Sequence, residues 1–387
     1  MSVQIESLVQ SARQLLVEDD GRLWNRTALP QWILAESDVW WLTEAVDGAE
    51  PFGELWQVPP EPTMGVGSTS VRWRERSWAM VDCISTPPTV RLLLHEAFHA
   101  FWQPGAWDWV KPADGGDDTL ALPESRAALR VELRAWAQAL TSEDQDDLSA
   151  AQAVRKWRLD QLDSEELRRQ DYLDLWEGLP EYSAWNWTNA STAEVAALAA
   201  TGPQASSWHR SFCYTTGPVL GWALDRLRPG WREDLPEAGS LTRLLDQVPG
   251  LQAGAPDGVL NRLGYSQVLS SELEEHQERA RADGVLRARF STVLWVPLRG
   301  SIQFDPREVR HWDLGTFYKT LSVQTDGLHL KASKGAVVTT DWKWVGLPDP
   351  IPAAANADVF KGPGWSLTII DRNMATHISC APTPPAE

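Results

Sequence analysis

The sequence predicts an α+β protein with a small mixed-sheet portion at the amino terminus, a helical core and a carboxy-terminal antiparallel β domain. Three observations predict it. Short strand-like runs, Asp38–Leu42 and Val71–Arg74, lie among Pro- and Gly-containing turns in residues 1–86. Apolar residues then recur at helical spacing through residues 87–285, as with Leu129, Leu133, Trp136 and Leu140. Over residues 288–387 the pattern returns to short β-like runs (Ser291–Leu298, Thr316–Val323, Leu328–Ala332, Trp365–Ile370) separated by Gly335, Gly346 and Gly362-Pro363-Gly364.

Each element has its own signal. The first twenty residues form an amphipathic helix with Ile5, Leu8, Ala12 and Leu15 on one face. They carry neither a basic start nor a continuous apolar core, so they do not read as a signal peptide. Pro87-Pro88 opens a helix that runs through His99 and stops at Pro104-Gly105. Pro123 starts the next, and Ser142 and Ser164 are the expected N-caps of the two after it. Ser191 and Glu194 have the spacing of a capping box. Helices over Ser207–Arg228 and Ser270–Ala282 complete the set.

Composition narrows the function classes. The 387-residue chain has a formal net charge of -18 and a pI near 4.8, so it should repel nucleic acid and anionic membrane. No apolar run approaches the roughly 18 residues that span a bilayer. The expectation is a soluble, cytoplasmic protein. Cys83, Cys213 and Cys380 are too few and too scattered for a disulfide framework or a thiolate metal site, and are expected to be small buried hydrophobes. The 23 tryptophans, against 5 tyrosines and 8 phenylalanines, are expected mainly as core filler; the alternative is that some line a cleft.

The chemistry concentrates in Leu94-His95-Glu96-Ala97-Phe98-His99. Four residues are just over one helical turn, so His95 and His99 project from one face and both imidazoles can bind one tetrahedral ion. Glu96 beside them faces the position where a water would sit. Zinc brings such a water's pKa to about 7, and the carboxylate can take its proton. The flanking residues, Leu92, Leu93, Leu94, Ala97, Phe98, Ala100, Phe101 and Trp102, are apolar nearly all round. Two histidines and a glutamate on such a buried helix need partners, and an ion with its water supplies them.

A third protein ligand is required. Trp102 and Gly105 stand where a metzincin pattern would have glycine and histidine, so that class is excluded. The best candidate segment is Leu175-Trp176-Glu177-Gly178-Leu179-Pro180-Glu181-Tyr182. Here the chain resembles gluzincin metallopeptidases, whose ligand glutamate commonly opens a Glu-Gly-x-Ala-x-Tyr pattern. Glu177, Gly178 and Tyr182 match; Pro180 replaces the alanine. The resemblance implies a zincin-like catalytic core, Zn2+ as cofactor, Glu177 as third ligand, and Glu181 orienting a metal-bound histidine from behind. A proline inside a helix removes a hydrogen bond and clashes with the carbonyl four residues back, here Trp176, so the helix must kink there or begin close to it, and a kink could exchange the roles of Glu177 and Glu181. The segment Phe212–Leu220 adds a second mark: the resemblance implies that Tyr214, three residues before Gly217, donates to a substrate oxyanion. The alternative for Tyr214 is a core tyrosine. His209, one turn before Cys213, is a further candidate for reaching the site.

The wider likeness is to bacterial gluzincin-like proteins of unassigned function and covers about the first half of the chain. It runs through Gly21–Asn25, Trp78–Val81, the metal helix, Glu124–Arg126, Val131–Ala135 and the glutamate helix. Within it Glu124, Arg126 and Glu132 are either cleft residues or members of surface ion pairs. The expected activity is a zinc-dependent hydrolase, most simply a metallopeptidase acting on peptide or protein. A catalytically idle metal scaffold and a hydrolase of non-peptide bonds are the alternatives.

Overall fold

A computed structural model of the protein describes residues 2–61, 64, 66–84, 87–105, 107–111, 119–142, 144–205, 207–251, 256–298, 301–304, 309–325, 327–349, 359–370 and 378–381. It is an α+β structure with two compact units. The first comprises Met1–Pro60, Val66–Gln204 and Ser211–Glu272; the second comprises Glu61–Gly65, Ala205–Arg210 and Leu273–Glu387.

The first unit begins with helix α1 (Ser2–Asp19), followed by six strands: β1 (Trp32–Ala35), β2 (Trp40–Leu42), β3 (Glu50–Phe52), β4 (Leu55–Val58), β5 (Thr69–Trp73) and β6 (Arg76–Asp82). They form one sheet in the order β3-β4-β2-β1-β6-β5. Only β1 and β6 pair in parallel, with Leu34 opposite Val81. The central strand β1, Trp-Ile-Leu-Ala, is buried on both faces, which is why it reads as a continuous apolar run with no alternation. Edge strand β3 is exposed throughout. The buried seam of α1 is Ile5, Val9, Ala12 and Leu16, so two of its members lie one residue beyond the expected Leu8 and Leu15.

Ten helices of the first unit and its boundary follow: α2 (Val90–Phe101), α3 (Pro123–Ser142), α4 (Gln145–Leu159), α5 (Ser164–Leu173), α6 (Leu179–Trp187), α7 (Thr192–Thr201), α8 (Cys213–Leu227), α9 (Trp231–Ala238), α10 (Leu241–Asp246) and α11 (Asp257–Arg262). The next, α12 (Tyr265–Ala288), begins in the first unit and ends in the second. Several starts differ from the sequence reading. Thr89 caps α2, its hydroxyl accepting from the Leu92 amide at 3.1 Å, so Pro87-Pro88 precede the helix. The N-caps of α4 and α5 are Asp144 and Asp163 rather than Ser142 and Ser164. A carboxylate there adds charge–dipole attraction to the hydrogen bond. The capping box of Ser191 and Glu194 is present at α7. Helix α8 starts at Cys213, not Ser207.

Helix α2 lies against β5, β6, α1 and α6. The Trp32 indole in β1 donates to the Leu93 carbonyl at 2.9 Å, tying the helix to the sheet beneath it. On the other side, Trp24 makes edge contacts with Phe98 of α2 and Tyr182 of α6, and its indole donates to Ser183 Oγ at 2.9 Å. Helix α2 is therefore clamped between a sheet and α6.

The second unit carries two antiparallel sheets. Strands β7 (Val293–Pro297), β8 (Ser301–Phe304), β9 (Val309–Trp312), β10 (Gly315–Tyr318), β11 (Leu321–Gln324), β12 (Leu328–Ala332), β13 (Ala336–Val338), β14 (Trp344–Pro348), β15 (Val359–Gly362), β16 (Trp365–Ile369) and β17 (Ser379–Ala381) pair as β17-β7-β14-β13-β10-β9 and β15-β16-β12-β11-β8. The run Thr316–Val323, read as one strand, is divided between β10 and β11, which lie in different sheets. Leu330, Leu367 and Val323 of one sheet share a core with Val296, Val338 and Leu347 of the other. Strand β7 is buried throughout, because its second face packs Val293 and Trp295 against Phe290, Trp312 and Phe317.

Among the described residues no helix is long and apolar enough to cross a membrane. Trp32, Trp40, Trp78, Trp136, Trp208, Trp231 and Trp295 are almost fully buried, the core-filling role, whereas Trp342 is about half exposed at 49 %. Of the cysteines only Cys213 is buried; Cys83 is half-buried and Cys380 exposed, against the expectation that all three are core.

Candidate metal centre

His95 and His99 point from the same face of α2, with 3.1 Å between their Nε2 atoms. Glu177 comes to them from a single π-helical turn, Asp174–Gly178, inserted between α5 and α6. Its Oε2 lies 3.6 Å from His95 Nε2 and 3.4 Å from His99 Nε2. A circle through three atoms so spaced has a radius of about 2 Å, the length of a zinc–imidazole or zinc–carboxylate bond. Ligand atoms of a regular tetrahedral ion are separated by roughly 3.3–3.4 Å at such bond lengths. The three atoms can therefore share one ion, leaving a fourth position open, and among the described residues these form the group able to do so. His209 is not a member.

Pro180 is accommodated by the π turn. Lacking an N–H, it cannot serve the Trp176 carbonyl, and its ring crowds the same atom. Widening the preceding turn to the i→i+5 pattern relieves the clash without breaking the path from α5 to α6. The expected kink is this one wide turn, and it leaves Glu177 beside the histidines and Glu181 behind them. Glu181 Oε2 accepts from His95 Nδ1 at 2.9 Å, and its Oε1 accepts from the Trp185 indole at 2.8 Å. With Nδ1 turned to Glu181, Nε2 is the atom that His95 directs at the shared centre.

Two glycines set the approach of α8. A Cβ placed on Gly217 would stand 2.2 Å from the Gly178 oxygen and 2.3 Å from its Cα, so the backbones of α8 and the π turn are in contact. That contact brings Tyr214 alongside Glu177, and the phenol donates to Glu177 Oε2 at 3.1 Å. Tyr214 is thus at the site and not confined to the core. Its ring lies 5.6 Å from that of His95. Burial and then the Glu177 charge push the phenol's pKa well above its ordinary value, so it remains a donor.

Glu96 is 5 % exposed, and its Oε2 has no hydrogen-bond partner among the described residues. Burial raises its pKa; the His95 and His99 charges oppose that rise, while Glu177 and Glu181 add to it. Burial would lower the pKa of His95, but hydrogen bonds to Glu177 and Glu181 outweigh it and hold the ring up at about 10. The reciprocal effect keeps Glu177 well below the usual carboxylate range in spite of its burial.

No protein-family model matches this chain, and neither does a curated protein or a solved structure.

Residues further out hold the π turn in place. Glu132, fully buried, accepts from Arg155 at 2.7 Å and from Arg158. Burial would raise its pKa, but the two guanidiniums hold it low. Arg155 also reaches Asp174, the first residue of the π turn, at 3.3 Å, and Thr216 of α8 donates to the same carboxylate. Burial nevertheless carries Asp174 up to about 6, against the opposing pull of Arg155 and the Thr216 hydrogen bond. Glu132 was expected in a cleft or a surface pair; it is instead the centre of a buried ionic cluster joining α3 to α4. Arg126 is likewise buried, its Nε donating to the Leu120 carbonyl at 2.7 Å, and Glu124 is exposed. Nothing in the local sequence marks Arg155 or Arg158, because their partner lies a helix away.

Proposed function

We propose that this protein is a zinc-dependent hydrolase of the gluzincin type, most simply a metallopeptidase cleaving peptide or protein substrates. On this reading the mixed sheet with α2 and α6 is a zincin-like core, and His95, His99 and Glu177 are the ligands. The observation that carries it is Glu96: a buried carboxylate with an unpartnered oxygen, beside three atoms spaced for one ion. A purely structural site needs ligands but no base, and an orphaned buried oxygen costs on the order of 1–3 kcal/mol unless a function retains it.

Bound zinc supplies Lewis acidity, polarising a carbonyl and bringing the pKa of a water to about 7. Glu96 accepts the water's proton and later delivers it to the leaving amine, a role its raised basicity suits. Tyr214 donates to Glu177 Oε2, which stands its phenol beside the centre, where it would donate to negative charge on a substrate carbonyl. Glu181 keeps the proton on His95 Nδ1.

The expected result is one zinc per purified chain, lost in His95→Ala, with cleavage of a random peptide library that a chelator stops and zinc restores. A chain without stoichiometric zinc, unchanged by His95→Ala, defeats the metal reading. A zinc-loaded chain that cleaves no peptide leaves the scaffold in its place.

A pH dependence follows from His95. Its folded, metal-free pKa is about 10 against the ordinary 6.5, so the folded chain holds a proton that the unfolded chain has released. This stabilisation is complete below pH 6.5 and lost as pH rises through about 10, so the metal-free Tm declines over that window. Metal must displace the same proton, so apparent zinc affinity should rise about tenfold per pH unit from 7 to 9. Competition with a chelator of known protonation behaviour checks this, and a flat profile would mean His95 is already neutral.

A further inference from the structure

We propose that Gln103 is a positioning residue that fixes the tautomer of His99 and ties it to the turn bearing Glu177, with Pro180 creating the need for that tie. The proposal rests on the metal-centre reading above. Gln103 follows the C-cap of α2, Trp102, and is 2 % exposed. Its Nε2 donates to the Trp176 carbonyl at 2.8 Å, and its Oε1 lies 2.6 Å from His99 Nδ1.

The assignment of these roles is forced. A backbone carbonyl oxygen can only accept, so the amide must turn its NH2 toward Trp176. Oε1 then faces His99, and two acceptors cannot bond, so Nδ1 carries the proton. The lone pair of His99 is thereby placed on Nε2, the atom that lies 3.4 Å from Glu177 Oε2.

The Trp176 carbonyl accepts from a distant side chain because Pro180, at its α-helical partner position, has no N–H. Glu177 is the next residue, so a single amide links the ring of one ligand to the backbone beside another. The coupling runs from Pro180 to the Trp176 carbonyl, to Gln103, to His99.

The link is tested by a mutant cycle with two readouts besides activity. Zinc affinity is measured by chelator competition, and the His99 tautomer is read in the metal-free protein from proton–nitrogen correlations of 15N-histidine-labelled chain. Wild type should show His99 protonated on Nδ1. Gln103→Leu should lose that tautomer preference and weaken zinc about 10- to 100-fold, the usual effect of removing a partner behind a ligand. Gln103→Glu keeps an acceptor for Nδ1 but sets a carboxylate against the Trp176 carbonyl, so it too should bind zinc more weakly. Pro180→Ala gives that carbonyl its own N–H, so Gln103→Glu should recover most of its affinity in the Pro180→Ala background, while the recovery for Gln103→Leu should be slight. This selective rescue is what a general loss of fold cannot produce. Wild-type His99 protonated on Nε2, or a Gln103→Leu chain with unchanged tautomer and zinc affinity, overturns the proposal. A wild-type chain that binds no zinc defeats the metal reading instead, and the tautomer still decides the role of Gln103.

Discussion

Glu96→Gln should lower peptide hydrolysis by 10²- to 10⁴-fold, the range typical of a lost general acid–base group, while leaving zinc content at one per chain. The substitution is isosteric and exchanges a carboxylate that can take a proton for a neutral amide that cannot. The ligands proposed are His95, His99 and Glu177, the three residues whose atoms are spaced to share an ion, so the substitution touches none of them. Stability gives an independent reading. Burial raises the Glu96 pKa, which means the charged form is disfavoured in the folded chain. A neutral amide relieves that cost, so Tm should not fall. Steady-state kinetics, zinc analysis and thermal denaturation of the same preparation test all three statements. Full activity in Glu96→Gln would remove the base from the mechanism, and loss of zinc would mean that Glu96 helps hold the ion.

What the sequence could reveal of this site follows the range of the interactions. His95, Glu96 and His99 are legible because an α-helix turns a spacing of four residues into one face, and the apolar flanks mark that helix as buried. The α+β class is legible for the same local reason, through strand alternation such as Leu328, Leu330 and Ala332 inward with His329 and Lys331 outward. The roles of Glu177 and Glu181 stayed open because Pro180 permits more than one local geometry. Only packing selects the π turn, and a wide turn has no periodicity of its own. Gln103 was invisible: it follows the end of α2 and serves a carbonyl 73 residues away. Glu132 lies in a buried cluster rather than a cleft or surface pair, and its partners Arg155 and Arg158 carry no sequence mark, because a charged helical residue is exposed by default. N-caps shifted by one or two residues for a milder reason, since Asp and Ser compete for the position on nearly equal terms.

Gly217→Ala should destabilise the first unit by about 3 kcal/mol or more and weaken zinc binding with it, although it alters none of the proposed ligands. The new Cβ would stand 2.2 Å from the Gly178 oxygen, and the obstructing atoms are backbone, so no side chain can swing aside. Relief requires α8 and the π turn to separate by about 1 Å, toward ordinary van der Waals contact. Separation carries Tyr214 away from Glu177, now 3.1 Å apart, and moves Thr216 from Asp174, so the loss reaches the ligand turn from two directions. Gly258→Ala is the control. It makes the same chemical change in α11, where a Cβ meets nothing within 4 Å, and should be neutral or stabilising by up to about 1 kcal/mol. Denaturant melts of both variants, followed by zinc titration of whatever remains folded, separate the outcomes. A Gly217→Ala chain with wild-type stability would show that α8 and the π turn are not in backbone contact. The shared placement of Tyr214 and Glu177 would then need another cause.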